Sequence, residues 1–416
     1  MIEVNKKYGT ILGAVGNVLV WYNFGLLMPF LVVISKNFFS MGDQYFNSVV
    51  SLLAVSVGLF FRPVGSAIFG PMGDKVGRQL ALSLSILLMA VPTICMGLLP
   101  NSSQWGIYAP ITFIFLRCLQ GISMGGEYTA AMVHLVELAP QNRRGFYGCF
   151  SDAGCQIGVL LAGQALVILY LFFTEEEIYS FAWRYPFLLA ILLVPFAFIS
   201  IQKENTIQKD TSNQEPTPSM IDSLIKYKKE VTCTIAITSF SAIGFYTLLT
   251  FLPYYFVREG FLTLQEATKC SMYANLVITA VIFCCGYLSD IFKRKPFLIA
   301  GMIGVPLSVY YMFLSNGKSF TFLMIMNVVY GVFLGMYYSC RAAFFSEAFP
   351  KHVRCTAVSL SLSLAQAIFG GSSTLIMNYL TAISEKLAIL PITVVAVGGI
   401  VAVLVMQDRT GKKLID

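Results

Sequence analysis

The sequence repeats itself at a fixed distance: GISMGGEYTAAMVHLVELAPQNRR at 121–144 is matched by GVFLGMYYSCRAAFFSEAFPKHVR at 331–354. At an offset of 210 positions the identities include Gly121/Gly331, Gly125/Gly335, Glu137/Glu347, Pro140/Pro350 and Arg144/Arg354. A second repeat pairs GPMGDKVGRQ (70–79) with GYLSDIFKRK (286–295). It aligns Gly70, Asp74 and Arg78 with Gly286, Asp290 and Arg294. A parallel duplication of this kind predicts two similar helical bundles around a central cavity.

The composition places these repeats in a membrane. Of 416 residues, 57% are hydrophobic and 12% are charged, whereas a soluble domain carries about 25% charged residues. Because a membrane-crossing helix needs about 20 mostly apolar residues, we predict an all-α membrane protein with twelve spans. They cover roughly 11–35, 47–70, 80–99, 107–136, 146–172, 183–201, 231–256, 269–289, 296–315, 320–346, 356–382 and 387–406.

The longest polar segment divides these spans six and six. Residues 202–230 are rich in Pro, Ser, Thr and charged side chains, a composition typical of a linker. We therefore expect one six-helix bundle at 1–201 and a second at 231–416, joined by a cytoplasmic linker at 202–230.

Lysine and arginine are distributed unevenly between the two sides of the predicted membrane. With the N-terminus in the cytoplasm, 19 of the 28 basic residues lie on the cytoplasmic side and 6 on the outer side. The remaining three, Arg62, Arg117 and Arg341, fall inside spans. Since cytoplasmic loops carry the excess of basic residues, we expect a multi-pass protein of a bacterial inner membrane with both termini in the cytoplasm.

This asymmetry also accounts for the net charge of +7 without any need for nucleic acid. The ten cysteines lie almost all within spans and form no CxxC pair, and the two histidines belong to no metal-spaced cluster or nucleophile motif. We expect no enzymatic activity, cofactor or metal. The expected partners are a small-molecule substrate, protons and the lipid bilayer, and the protein is expected to be a monomer.

The duplicated loops carry an acid and a base at the end of a span. An Asp at such a position can accept hydrogen bonds from backbone N–H groups of a neighbouring helix, and a nearby Arg can pair with it. Glu137 and Arg144, seven residues apart around Pro140, are predicted to form a similar clasp. Basic loop residues also orient a membrane protein, but the repetition of acids as well as bases favours conformational latches. The latch candidates are Asp74, Arg78, Glu137, Arg144, Asp290, Arg294, Glu347 and Arg354.

Several stretches resemble the major facilitator superfamily and, more narrowly, its metabolite:proton symporter family, which includes proline/betaine, α-ketoglutarate, citrate and shikimate carriers. They are GNVLVWYNF (16–24), RPVGSAIFGPMGDKVGR (62–78), RCLQGISMGGEY (117–128), ELAPQNRRGFY (137–147), WRYPFLL (183–189), EAFPKHVRCTAVSLS (347–361) and AIFGGSSTL (367–375). The resemblance implies the major facilitator fold, with two six-helix bundles that rock about a substrate site near the membrane midplane. It also implies transport coupled to inward proton flow.

Charged residues inside spans cost roughly 2.5–3.5 kcal/mol on insertion scales, so each needs an explanation. Arg117 and Glu127 share span 4 and are ten residues apart, which places them some 80° apart around the helix. We expect them to line one cavity at two depths. Glu127 is predicted to carry a proton or to contact a substrate ammonium group, and Arg117 to pair with a substrate carboxylate or with Glu127.

Three further charges lie in spans. Asp152, in span 5, is predicted either to take part in proton coupling or simply to pair with Arg143 or Arg144 in the adjacent loop. Arg341 is expected to face the cavity from the second half. Arg62 is expected to extend to the cytoplasm or to cap a helix end.

Span 1 lacks charges where the related carriers have them. Those carriers typically read GNxxEWYDF, whereas this chain has Val20 and Asn23 at the acidic positions. Proton coupling is therefore expected either to have moved to Glu127 or Asp152 or to be weak, as in a facilitator. Aromatic faces attract ammonium groups, and the predicted substrate contacts are Asn17, Trp21, Tyr22, Asn23, Arg117, Tyr128, Arg341 and Gln366.

Two functional hypotheses follow. The first is proton-coupled import of a small zwitterion, such as an amino acid or betaine, because the family resemblance is accompanied by both signs of charge, Arg117 and Glu127, and by aromatic residues near the membrane midplane. The second is an organic-anion carrier in which Arg117 and Arg341 clamp a carboxylate, and an uncoupled facilitator is a further alternative. Drug efflux ranks lower, because span 5 reads SDAGCQIGVLLAG and lacks the Gly-Pro of efflux members.

Overall fold

The structure is a computed structural model that describes residues 2–39, 44–195, 197, 224–315 and 319–415, with side chains from residue 14 of the first range and residue 57 of the second. Every regular element in these ranges is helical, which agrees with the predicted all-α class. The predicted linker lies outside the described residues as far as residue 223, so its boundaries stay a prediction.

Twelve long helical runs correspond one to one with the twelve predicted spans. They are α1 (Ile2–Gly25), α2 (Gln44–Lys75), α3 (Arg78–Leu98), α4 (Tyr108–Leu138), α5 (Arg144–Phe172), α6 (Glu175–Pro195), α7 (Lys228–Arg258), α8 (Leu264–Phe292), α9 (Lys295–Leu314), α10 (Phe320–Ala348), α11 (Arg354–Ile383) and α12 (Glu385–Val405). Among the described residues, nine of these runs are both long and apolar enough to cross a membrane. The other three, α1, α2 and α4, have 24, 32 and 31 residues, more than the roughly 20 that a crossing needs.

The repeated glycines mark the same helix contact in each half. In the first half α4 packs along α2, and in the second half α10 packs along α8. A Cβ atom on Gly121 would overlap the backbone oxygen of Gly58, and one on Gly331 would lie 2.7 Å from the oxygen of Ala274. Only glycine allows the backbones to approach so closely, so the duplication in the sequence is a duplication in packing.

The fifth helix of each half packs against the other half as well as against its own, and we call this the exchange of the fifth helices. From the first half, α5 packs against α8 and α10, and from the second half α11 packs against α2 and α4. Apolar side chains of both halves join in one core, whereas others, such as Leu171 and Phe172, are about three-quarters exposed, as expected of a surface that meets lipid. The exchange brings residues of both halves together in the middle of the molecule.

Candidate functional site

A cavity lies between the two halves. Its walls come from α1, α2, α4 and α5 of the first half and from α7, α10 and α11 of the second. The lining residues are Trp21, Arg62, Tyr128, Asp152, Cys155, Phe245, Tyr246, Tyr338, Arg341, Leu362 and Gln366. The cavity therefore lies where the duplicated sequence predicted one.

Asp152 and Arg341 form an ion pair that joins α5 to α10. Nη2 of Arg341 donates to Oδ1 of Asp152 and to the hydroxyl oxygen of Tyr128, and the Tyr128 hydroxyl in turn donates to the same Oδ1 at 2.6 Å. Nη1 of Arg341 donates to Oγ of Ser241 at 2.9 Å. All these side chains are buried, so the pair connects the two halves inside the protein.

This ion pair settles two alternatives that the sequence left open. The pairing of Asp152 with Arg143 or Arg144 is wrong, because the carboxylate lies within α5 and meets Arg341 on α10 instead. Arg341 lines the cavity from the second half, as expected.

Aromatic rings form much of the remaining wall. The ring of Trp21 meets those of Tyr128 and Phe245 edge to face, with centroids 5.7 and 6.2 Å apart. Cζ of Arg341 lies 4.7 Å from the ring centroid of Tyr338. Since aromatic faces attract cations, the cavity can accommodate a positive group as well as a carboxylate.

Four buried polar atoms of the lining side chains have no hydrogen-bond partner among the described residues. They are Nε1 of Trp21, Nε of Arg62, Oδ2 of Asp152 and Nε of Arg341. Buried polar groups nearly always have partners, and an exception calls for an explanation such as a ligand or a water molecule. The cavity thus offers three donors and one acceptor to an occupant.

Two helices that line the cavity are locally irregular. In α7 a π-helical segment runs over Thr247–Phe251, and in α11 another runs over Gln366–Gly370. Such segments often occur at functional sites. Tyr246, just before the first segment, and Gln366, at the start of the second, both line the cavity.

Two clusters of charged residues lie on one side of the molecule, which we call the latch side. Cluster A comprises Asp74, Arg78, Glu137 and Arg354, and cluster B comprises their repeat counterparts Asp290, Arg294, Glu347 and Arg144.

In cluster A, Asp74 caps a helix of the opposite half. Its carboxylate accepts the backbone N–H groups of Cys355 and Thr356 at 2.9 and 2.8 Å and the Thr356 hydroxyl at 2.5 Å, all in the first turn of α11. A negative charge is favoured at a helix N-terminus. Nη1 of Arg78 donates to the same carboxylate at 2.5 Å, which confirms both predicted contacts of this Asp.

In cluster B, Asp290 does the same in the other direction. It accepts the backbone N–H groups of Gly145 and Phe146 at 2.8 and 2.9 Å, in the first turn of α5. Nη1 of Arg294 donates to it at 3.1 Å. The repeated loops therefore cap each other's fifth helix.

The predicted clasp between Glu137 and Arg144 is wrong. Glu137 pairs with Arg354 of the opposite half at 2.6 Å, and Arg144 lies 4.0 Å from Glu347 of the opposite half. The reason is the exchange of the fifth helices, which carries the arginine at the start of each one to the glutamate of the other half.

The C-terminal segment lies against both clusters. Nη1 of Arg144 donates to the backbone oxygen of Lys412 at 2.6 Å, and Nη2 of Arg354 donates to that of Ile415 at 2.9 Å. Asp408 accepts the backbone N–H groups of Arg294 and Lys295 at the start of α9. The contact of Arg144 with Lys412 therefore adds a further link between the two halves on the latch side.

The comparison with known families decides what this architecture is. The family model of the Major Facilitator Superfamily matches residues 11–368 and 268–415. The chain belongs to the Major Facilitator Superfamily. Since this is a family of transporters, the chain is a multi-pass transporter of the bacterial plasma membrane.

Named relatives narrow the resemblance. A candidate proline/betaine transporter of Staphylococcus aureus strain COL is 30% identical over 393 residues, which cover 91% of this chain and 83% of the relative. The proline/betaine transporters of Salmonella typhimurium strain LT2 and Escherichia coli strain K12 are 28% and 27% identical over 425 residues, which cover 96% of this chain and 83% of each relative.

Solved structures agree with the superfamily fold. The proton:xylose symporter XylE bound to 6-bromo-6-deoxy-D-glucose is 16% identical and superposes with a TM-score of 0.79, covering 100% of this chain and 98% of the symporter. The inward-open conformation of the xylose transporter XylE from Escherichia coli gives 0.67, with 15% identity and 97% of each chain covered. At this identity the likeness shows the fold.

Within this superfamily fold, the polar residues of α1 serve packing more than the cavity. Asn17 donates to the backbone oxygen of Ser151, and Tyr22 donates to that of Pro186 at 3.3 Å. Asn23 donates to Leu19 within its own helix at 2.7 Å. Of the four predicted contacts in α1, Trp21 is the one that lines the cavity.

Arg117 and Glu127 are fully buried in α4, but neither lines the described cavity. Nη1 of Arg117 donates to Oε1 of Gln120 at 2.6 Å, and its Cζ lies 4.8 Å from the ring centroid of Phe24. Both carboxylate oxygens of Glu127 are buried and have no hydrogen-bond partner in the described part of the chain. The expectation that both residues line one cavity is therefore wrong for this cavity, and their roles stay predictions.

The cavity is also lined by residues that were predicted to lie elsewhere or were not predicted as candidates. Arg62 is buried and lines the cavity instead of extending to the cytoplasm. Tyr338 and Leu362 were passed over, yet the offset of 210 relates them to Tyr128 and Asp152, which also line it. Applying the repeat to every candidate would have found both.

Proposed function

We propose that this protein imports a small zwitterion, an amino acid or betaine-like compound, by proton-coupled alternating access. The observation that carries the proposal is the Asp152–Arg341 pair, an acid and a base that line the aromatic cavity between the halves. A zwitterion presents the complementary pair of charges. The names of the relatives, proline/betaine transporters, support the same substrate class.

Clusters A and B act in this proposal as latches that close one side of the transporter. Each holds the start of a fifth helix against the opposite half, so the cavity can open to the latch side only when these contacts break. The excess of basic residues on the latch side supports a cytoplasmic location for this side and for both termini. The proposed working unit is a monomer in the lipid bilayer, with no enzymatic activity.

Glu127 is the proposed proton carrier. An ionised carboxylate that is buried without a partner costs several kcal/mol, and no described residue bonds either oxygen of Glu127. This carboxyl group is therefore expected to hold a proton in the closed state, whereas Asp152 is neutralised by Arg341. This assignment agrees with the neutral Val20 and Asn23 in α1.

Uptake into proteoliposomes tests the proposal. Purified protein is supplied with radiolabelled proline, glycine betaine or α-ketoglutarate, with and without an inward proton gradient. We expect accumulation of a zwitterion that depends on the gradient in the native protein and is lost in Glu127→Gln. A native protein that equilibrates the zwitterion but never accumulates it would be an uncoupled facilitator.

An organic-anion carrier is the second candidate, and one observation favours it. Two guanidinium groups, Arg62 and Arg341, line the cavity with a single carboxylate, Asp152. That excess of positive charge suits a dicarboxylate. Uptake of α-ketoglutarate without competition from either zwitterion would establish this candidate in place of the first.

A further inference from the structure

The Asp152–Arg341 pair is incomplete on both sides. Oδ1 of Asp152 receives both Nη2 of Arg341 and the Tyr128 hydroxyl, whereas Oδ2 has no partner among the described residues. On the guanidinium, Nη1 is bonded to Ser241 and Nε likewise lacks a partner in that part of the chain. A carboxylate that binds arginine well engages two parallel N–H groups, and here only one is used.

The unused atoms lie at the edge that a second carboxylate would need. Nε and Nη2 are neighbouring donors of one guanidinium, but Nη2 is held by Asp152 and Tyr128. A ligand carboxylate can make a two-bond contact with this edge only if Asp152 gives up Nη2. Once Asp152 is released, both its oxygens are open to a positive group beside the rings of Trp21 and Tyr128.

We propose that the substrate exchanges partners with this ion pair, and this inference rests on the proposed function. The carboxylate of the zwitterion binds the Nε–Nη2 edge of Arg341, and its ammonium group binds Asp152. The exchange leaves both Asp152 and Arg341 paired with an opposite charge. It also replaces a direct bond between α5 and α10 by one that passes through the substrate, so that binding loosens the link between the halves.

The same exchange makes Asp152 a specificity-determining residue. A plain carboxylate would take Arg341 but leave Asp152 buried without a counter-charge, which is strongly unfavourable. Asp152 therefore excludes anions of the same shape, which is a common way to achieve specificity. The carboxylate that binds the cation is also the group that rejects the anion.

Two pairs of isosteric probes test this exchange. Proline is compared with cyclopentanecarboxylate, and glycine betaine with 3,3-dimethylbutyrate, each pair differing in the cationic nitrogen. Binding is measured by competition for uptake and by thermal shift of the purified protein. Since the cation of each zwitterion pairs with Asp152, whereas the anion leaves Asp152 buried without a counter-charge, we expect the native protein to prefer each zwitterion by about tenfold or more.

In Asp152→Asn we expect this preference to fall to about one, partly because the anion binds more tightly. Asp152→Glu keeps the charge and should keep the preference. Asp408→Asn, an Asp-to-Asn change outside the cavity, is the matched control and should leave the ratio unchanged.

Asp152→Asn leaves Arg341 buried without its partner and is at risk of failing to fold. The double variant Asp152→Asn/Arg341→Gln removes both charges and avoids that problem. It should bind neither member of a probe pair preferentially. A folded single or double variant with the native preference would overturn the exchange alone, whereas a native protein that binds neither zwitterion would overturn the proposed function as well.

Discussion

Clusters A and B are built from matching residues but connect the halves unequally. In cluster A the shortest glutamate contact crosses between halves, with Glu137 at 2.6 Å from Arg354 and 3.3 Å from Arg78. In cluster B it stays within one half: Glu347 lies 2.9 Å from Arg294 and 4.0 Å from Arg144. The glutamate of cluster A thus joins the halves, whereas that of cluster B mainly pairs within the second half.

The capping aspartates show the same difference. Asp74 accepts three hydrogen bonds from the opposite half because Thr356 adds its hydroxyl to two backbone N–H groups. Asp290 accepts two, since the equivalent side chain is Phe146. Both copies of the repeated motif therefore cap a helix of the opposite half, but the first copy makes more hydrogen bonds that hold the latch side closed.

The glutamates provide the largest test of this difference. Because Arg294 is fully buried, Glu347→Gln breaks a buried ion pair, which costs about 3–5 kcal/mol, and it should lower the melting temperature clearly. Glu137→Gln should affect stability less and opening more. The measurements are thermal unfolding and the rate at which N-ethylmaleimide alkylates Cys355. This cysteine is buried against Gly73, the residue before Asp74 of cluster A.

Substitution of the two capping aspartates tests how much each cluster resists opening of the latch side. We expect Asp74→Asn to accelerate alkylation of Cys355 by about tenfold and Asp290→Asn by about fivefold, in proportion to the three and two charged hydrogen bonds that are weakened. Cys149, which is buried against Gly286 one turn before Asp290, is the matched reporter for opening at cluster B. The exposed Cys284 should react at an unchanged rate in both variants. Equal acceleration by the two substitutions would show that the clusters contribute equally.

Asp408 tests the part of the C-terminal segment that supports cluster B. Burial alone would raise the pKa of its carboxyl group, but hydrogen bonds from Thr410 and from the backbone of Lys295 and Arg294 outweigh burial and hold the pKa below its ordinary value. Its stabilising effect is therefore complete above the ordinary value of about 3.9 and is lost as the pH falls through the lower, folded value.

We expect Asp408→Ala to cost about 1 kcal/mol, as loss of a helix cap does. The difference in melting temperature from the native protein should be constant between about pH 5 and 8, where the carboxylate is fully charged. It should shrink below a pH of about 4. A difference that grows on acidification would contradict the stabilising role of the charged form.

Removal of residues 411–416 gives the smallest expected effect. It deletes the backbone oxygens that accept bonds from Arg144 and Arg354 but keeps Asp408. Because these are single bonds at a partly exposed surface, alkylation of Cys149 and Cys355 should rise by about twofold each. A strong effect on one cysteine alone would mean that the segment supports only one cluster.

The local features of this protein could be predicted from its sequence. Twelve spans, the duplication and the capping aspartates follow from hydropathy, a fixed offset and the four-residue spacing of Asp74 and Arg78. Each of these is a property of neighbouring or regularly spaced residues, and the structure confirms all three.

The partners of the charged residues were decided by the tertiary structure. Asp152 and Arg341 are 189 positions apart, and Glu137 and Arg354 are 217 apart. Helical spacing gives the depth and angle of a side chain, but not which helix of the other half lies opposite. Hydropathy and the repeat are therefore enough to predict the fold and the candidate charges, whereas the exchange of the fifth helices sets which acids and bases meet, because it brings distant residues into contact.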